Sequence, residues 1–493
     1  MLSRSAILVS LIISFAGCTS TKESPSALIS WNKLIREVGS FSSPRAVDLT
    51  GDGIKDIVFG AGKVEFQDTD SAVFALDGSN GSVLWMVGAR DQIFGSPDFM
   101  DITEDGVPDV FIGGRSAEFM AIDGHSGQVI WEYFAAGDTV DFNEHKLYNF
   151  YNSQFIADMS GDGLSDLLVS NGGYVKAGPY ELERPPGKLM IINAVNGQLI
   201  AEAYMPDGKE TYFSAVIMDA SKEDPRIIFG TGGERISGGL YVTYLHDIVD
   251  GTISEAIKIF DGKSKGFVAP PVVVDVNNDG ALDIVVNAVD GIIAAFDGNT
   301  YQNIWLVDIE GTEIYGSLGV GYFDQDTVPD FYTNLGIGAF PDLLESVQIV
   351  INGKSGDIIR RDTIGAFHYA SPVVYDIDQD NLDEVFFHHN YLTSGLATNS
   401  LNVIDIDQDS IYTFASSWRG ANLGSTPLLD DLNGDGLLEI IAIHENNPTD
   451  LFSVEYKTGL EIHMIATEIA IRDSLKWGAY MGSTFTGRFQ SKE

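Results

Sequence analysis

The sequence predicts an all-β fold: a single β-propeller of eight four-stranded blades, with seven blades plus one divergent unit as the alternative. Three observations predict it. A four-part phrase recurs from residue 40 onward. Its strands are short runs of Val, Ile, Phe and Tyr broken by Asp-Gly turns. Each copy carries an acidic loop, beginning at Asp48, Asp101, Asp158, Asp219, Asp275, Tyr322, Asp376 and Asp431, at intervals of 47 to 61 residues. A four-stranded sheet of this size cannot bury both faces alone, so the copies must stack, and radial stacking gives a propeller.

The first copy shows the elements in order. Residues 43–47 read as a short strand containing Pro44, 48–56 as the acidic loop and 57–60 as the second strand. Residues 72–76 and 83–87 are the third and fourth strands, joined by Asp77-Gly78-Ser79-Asn80-Gly81. Such runs between Asp-Gly turns favour antiparallel sheet over helix. At the termini, 27–31 matches the fourth-strand phrase and 481–485 the first-strand phrase, so either end could close the ring.

The chain of 493 residues has a formal charge of −42, which argues against nucleic acid or anionic head groups as partners of the folded body. Its one cysteine excludes an internal disulfide and a four-thiolate zinc site. Residues 1–17 read as a signal peptide: Arg4 precedes an apolar stretch too short to span a bilayer. Phe15-Ala16-Gly17-Cys18 resembles a bacterial lipobox, which implies lipidation of Cys18 and a tether over 18–26; the repeats place the propeller over 27–486 and leave a tail over 487–493. Thr19 and Ser20 after the cysteine favour the outer membrane, so the expected location is the bacterial cell envelope, lipid-anchored and periplasmic or surface-exposed.

The loops carry the chemistry. Asp48, Thr50, Asp52 and Asp56 place side-chain oxygens at positions 1, 3, 5 and 9, Gly53 permits a tight turn, and Ile54 can add its carbonyl at position 7. Alternating hard oxygens around a turn are calcium chemistry. Without a cation, carboxylates about 4 Å apart repel by roughly a few kcal/mol per pair at an effective dielectric near 20. The spacing recurs in Asp101, Thr103, Asp105, Val107 and Asp109; in Asp158, Ser160, Asp162, Leu164 and Asp166; and in Asp275, Asn277, Asp279, Ala281 and Asp283. Two copies end in glutamate: Asp376, Asp378, Asp380, Leu382 and Glu384, and Asp431, Asn433, Asp435, Leu437 and Glu439. The sixth keeps Asp324, Asp326 and Asp330 but begins with Tyr322 and has Thr327 in place of glycine, and the fourth, from Asp219, has lost the pattern. About six calcium sites are expected, with a weak seventh. No Glu stands at position 12, so an EF-hand is not indicated.

These loops, with the strands that follow them such as 56–62 and 109–114, resemble the FG-GAP repeats of integrin α-subunit propellers and related bacterial proteins. The second halves, 75–85, 121–131 and 295–305, look like the propeller repeats of quinoprotein dehydrogenases and of an outer-membrane assembly lipoprotein. The resemblance covers 40–466 and implies the propeller fold and calcium ligation. It implies function weakly, because propellers host many activities.

In an up-and-down blade the 1–2 loops share one face and the 2–3 and 4–1 connections share the other. The length variation falls on that second face, at 134–152, 172–187, 231–239, 336–346 and 388–400. Tyr148, Phe150, Tyr151, Tyr174, Tyr180, Phe340, His389 and Tyr391 in these segments are the candidate contacts for a protein or glycan partner. The alternative is that these rings pack their own loops onto the disc. His388 and His389 are adjacent, so in a strand they point to opposite sides and cannot share a metal. Trp85, Trp131 and Trp305 recur at one place in their repeats and read as packing between blades.

No catalytic set stands out: there is no Cys pair and no Ser-His-Asp arrangement, and the eight histidines are scattered. The leading reading is a calcium-stabilised cell-envelope lipoprotein that acts as an adhesion or assembly scaffold. The alternative is an oxidoreductase dependent on pyrroloquinoline quinone (PQQ), a cofactor the residues themselves do not call for.

Overall fold

The computed structural model describes residues 27–133, 147–178, 180–343, 345–447 and 458–490. The signal peptide, Cys18 and the tether of the sequence analysis lie outside them. Among the described residues, no helix is long and apolar enough to cross a membrane.

Eight antiparallel four-stranded units follow one another along the chain. The first runs Arg45–Val47, Asp56–Gly60, Thr69–Leu76 and Val83–Ala89, each strand paired with the next. Units two to five repeat that order over 98–132, 149–204, 216–261 and 272–308. Unit six (312–366) and unit seven (373–419) share one continuous sheet through a single register pair, Ala366 with Asn390. The first strands of units three and six are broken into two short segments. The fourth unit is complete despite its degenerate acidic loop, and a short helix, Leu245–Asp250, follows its third strand.

Unit eight resolves the closure. Leu428–Asp430, Leu437–Glu445 and Leu460–Ala470 form its first three strands, and the N-terminal strand Ala27–Ile35 pairs antiparallel with Leu460–Ala470 as the fourth. Apolar side chains pack between neighbours around the whole ring. Val58 and Val73 meet Val110 and Met120 between units one and two. Phe386 meets Ile440 between units seven and eight, and Ile441 and Ile462 meet Ile57 and Phe74 between units eight and one.

One device repeats at four of these interfaces. The indole Nε1 of Trp31, Trp85, Trp131 and Trp305, on fourth strands, donates to the carbonyl of Gly78 (2.8 Å), Gly124 (2.8 Å), Ala194 (2.8 Å) and Gly353 (2.6 Å) in the turn between strands three and four of the next unit. Each indole lies against the later glycine of that turn, Gly81, Gly127, Gly197 or Gly356. All four have positive φ, and an added Cβ would meet the ring at 2.5–2.9 Å. The glycine supplies both the left-handed backbone and a flat seat.

The C-terminal phrase does not add a strand. Residues 474–490 instead cross the axis of the ring and bond to the first strands or their leads. The carbonyls of Trp477 and Gly478 accept the N–H groups of Val374 (2.8 Å) and Leu429 (2.7 Å), and Val273 exchanges bonds with Gly487 and Phe489. Trp477 donates to the carbonyl of Leu318 (3.0 Å), Gln154 to that of Thr486 (3.2 Å), and the guanidinium of Arg45 sits 4.0 Å over the ring of Phe485. Residues 487–489, expected from the sequence to lie in a tail, thus belong to the plug.

Candidate functional site

The acidic loops all join first and second strands and share one face. Their backbone geometry repeats. In the first, Asp48 accepts the N–H of Gly53 (2.9 Å), Asp52 that of Ile54 (2.8 Å) and Asp56 that of Leu49 (2.9 Å). The same three bonds occur in the loops from Asp101, Asp158, Asp275, Asp376 and Asp431. These are the six loops with the full oxygen spacing. In one of them, oxygens of Asp376, Asp378, Asp380 and Glu384 come within 4.8 Å of one another.

The position-9 carboxylate has a second task. Asp56, Asp109, Asp283 and Asp330 each also accept an N–H from the turn that seats the tryptophan, at Gly78 (3.0 Å), Gly124 (3.1 Å), Gly298 (2.9 Å) and Gly353 (2.9 Å); of these turns only that of Gly298 lacks the indole. Burial, reinforced by neighbouring carboxylates, pushes Asp283 up to about 6, Asp330 and Glu439 to about 7, and Glu384 to about 9. A cation held by these oxygens would offset that repulsion. The two degenerate loops have other partners. Arg226 pairs with Asp219 at 2.5 Å, placing a fixed guanidinium in the fourth loop. In the sixth, the amide of Asn352 donates to Asp324 (2.8 Å) and Asp326 (3.4 Å), while the ring of Tyr322 turns to Phe489.

On the opposite face a cavity of about 660 Å³ opens at the axis. Its wall is built by one repeated position, two residues before the Ser that leads into a first strand. Phe41, Phe94, Tyr151, Tyr212, Tyr315 and Tyr369 occupy it in six units, and all six line the cavity. The rings touch in two arcs. Phe94, Tyr151 and Tyr212 follow one another at 5.5 and 6.1 Å between centroids, and Phe41, Tyr369 and Tyr315 at 6.2 and 5.1 Å. Unit eight has Gly424 there, and a Cβ on it would strike the ring of Phe41 at 2.7 Å, so the missing side chain lets Phe41 lean toward Tyr369. Tyr480 of the plug also lines the cavity, as do Glu65, Arg115, Glu234 and Phe340 from connections between second and third strands. Arg115 pairs with Glu65 at 3.0 Å, and burial pushes Glu234 upward.

The partner candidates from the sequence divide. Tyr151 and Phe340 line the cavity, and Tyr180 is 71% exposed beneath the guanidinium of Arg235. Tyr148 and Phe150 are buried, Tyr148 beside Tyr174 and Phe150 stacked on Phe119, so they hold their own loop down and offer no surface. Tyr174, half-buried, borders a shallower cleft with Leu182 and Arg184. His389 and Tyr391 are half-buried and pack on each other at 5.0 Å. Their segment, 388–400, is no loop: it continues the hairpin Glu384–Thr393 and Leu396–Asp405.

No known protein family and no curated protein matches the chain. Solved structures do. The quinohemoprotein alcohol dehydrogenase ADHIIG from Pseudomonas putida HK5 superposes with a TM-score of 0.54 at 10% identity, covering 91% of this chain and 78% of that one. A europium-containing methanol dehydrogenase gives 0.54 at 12% identity, covering 89% and 93%. Sqt1 from Saccharomyces cerevisiae gives 0.50 at 8% identity, covering 90% and 100%. The fold is a β-propeller. Identities this low carry nothing beyond it.

Histidines scattered in the sequence are gathered by the propeller. His368, His388, His444 and His463 are all buried, and burial, reinforced by the other three imidazoles, holds His388 well below the usual imidazole range. Spacing alone hides this, because His444 and His463 lie on neighbouring strands and meet only through their register.

Proposed function

We propose that this propeller is a calcium-stabilised scaffold of the bacterial cell envelope, lipid-anchored through Cys18, which binds a glycan or protein partner in the axial funnel opposite the acidic loops. The observation that carries the reading is the aromatic side chain that six units contribute from one equivalent position to one cavity. Its volume of about 660 Å³ falls in the range of ligand sites, about 300–1,000 Å³. Aromatic faces stack on the C–H surfaces of sugars, and Gln92, Asn152, Glu65 and Glu234 offer donors and acceptors to hydroxyls. A glycan, or the tip of a protein loop, suits such a funnel better than a flat protein face.

The charge set weighs against the oxidoreductase alternative. Pyrroloquinoline quinone carries three carboxylates, whereas the cavity lining offers Glu65 and Glu234 against Arg115, which is already paired with Glu65. These residues do not fit that group, and no redox step is assigned to them.

Capture from native envelopes by the full chain, in calcium, tests the reading. Phe94→Ala and Tyr369→Ala should each lower capture of glycan or protein by at least about tenfold with little change in melting temperature, and Tyr180→Ala, outside the funnel, should leave it intact. Equal capture by all three variants would overturn it.

A further inference from the structure

We propose that His444, His463 and Glu461 form a transition-metal site of the zinc class in unit eight, separate from the calcium loops. The site is built by strand register. His444 pairs with Glu461 and Ala442 with His463 across Leu437–Glu445 and Leu460–Ala470, so all three side chains leave the sheet on one side, the side facing unit seven.

Three ligand atoms converge. The two Nε2 atoms stand 3.0 Å apart, and Oε2 of Glu461 lies 3.6 Å from each. Bonds of 2.0–2.1 Å at a tetrahedral angle would set ligand atoms about 3.3–3.4 Å apart, so this triangle takes an ion with small ring movements. The two nitrogens are also within hydrogen-bond distance of each other, but 3.6 Å is too long for a bond from either to Oε2 of Glu461, so a hydrogen-bonded pair leaves that oxygen out where an ion would join all three.

The surroundings orient the ligands. Asn446 donates to Oε1 of Glu461 at 3.1 Å, which leaves Oε2 for the imidazoles. Nδ1 of His444 faces the carbonyl of Glu445 at 3.3 Å, favouring the tautomer whose lone pair is on Nε2. The indole of Trp418 lies parallel to both imidazoles, with centroids at 5.4 and 4.5 Å, and covers one side. The histidine side chains are 0% and 3% exposed against 22% for Glu461, so access is from the carboxylate. Two imidazoles and one carboxylate suit zinc or a neighbouring transition metal; calcium takes oxygen ligands only.

Cobalt(II) is the probe. Full-length protein stripped of transition metal and kept in millimolar calcium should bind one equivalent with a visible ligand-field band, which zinc abolishes and further calcium does not. Glu461→Gln, at a partly exposed position, and His463→Gln should weaken binding by more than about tenfold, while His246→Gln, at an exposed position away from the site, should not. If His463→Gln fails to fold, Glu461→Gln decides alone. No band, a band displaced by calcium, or the same affinity in folded Glu461→Gln would overturn the assignment.

Discussion

Trp31 donates its indole N–H to the carbonyl of Gly78 at 2.8 Å, across the seam between the last unit and the first. The bond repeats that of Trp85 with Gly124 inside the ring, so closure uses an ordinary interface rather than a special one. Both tryptophans are 8% exposed. Trp31→Ala and Trp85→Ala should therefore cost similar amounts, about 3–5 kcal/mol each in chemical denaturation. A much smaller loss for Trp31 would mean that the seam contributes little.

Calcium and pH should act together. Without a cation, Asp283, Asp330, Glu439 and Glu384 have folded-state values of about 6, 7, 7 and 9. Because these are raised, the folded chain binds more protons than the unfolded one above about pH 4, and its stability falls as pH rises through that window. Calcium would keep the same groups ionised and remove the loss. The difference in melting temperature between calcium and chelator should widen from about pH 5 to about pH 8; a constant difference would contradict this.

Glu384→Gln should behave differently in the two conditions. With chelator near neutral pH, Glu384 is already protonated, at about 9, so the amide should be close to neutral in effect. With calcium a ligand is lost, and stability should drop by about 1.4 kcal/mol for each tenfold loss of affinity. Thermal melts in both buffers measure the crossover, and equal effects would argue against ligation.

The plug should matter to the whole ring. Trp477 is 2% exposed and bonds to units six and seven, through Leu318 and Val374. Trp477→Ala should lower stability by about 3–5 kcal/mol, and removal of 474–490 by more, in denaturant titration. Unchanged stability on truncation would show the crossing segment to be passive.

The repeat was legible because each part recurs: the oxygen spacing of 48–56, the turn with two glycines and the tryptophan that follows it. Each reads the same in isolation as in the fold. Closure was not, because 27–31 and 481–485 both carry strand phrases and only pairing with Leu460–Ala470 separates them. The funnel was missed for a related reason. One ring per unit, at intervals of about fifty residues, looks like background until radial symmetry brings the six together. Tyr148 and Phe150 look like contacts in a long connection, yet their neighbours Tyr174 and Phe119 bury them.

Elemental analysis of the purified chain, after gel filtration in micromolar calcium, tests the metal reading of the acidic loops most directly. About six calcium ions per chain are expected, falling by one in a variant such as Asp48→Asn combined with Asp52→Asn. A chain that retains its melting temperature in chelator and carries no calcium at millimolar supply would contradict it.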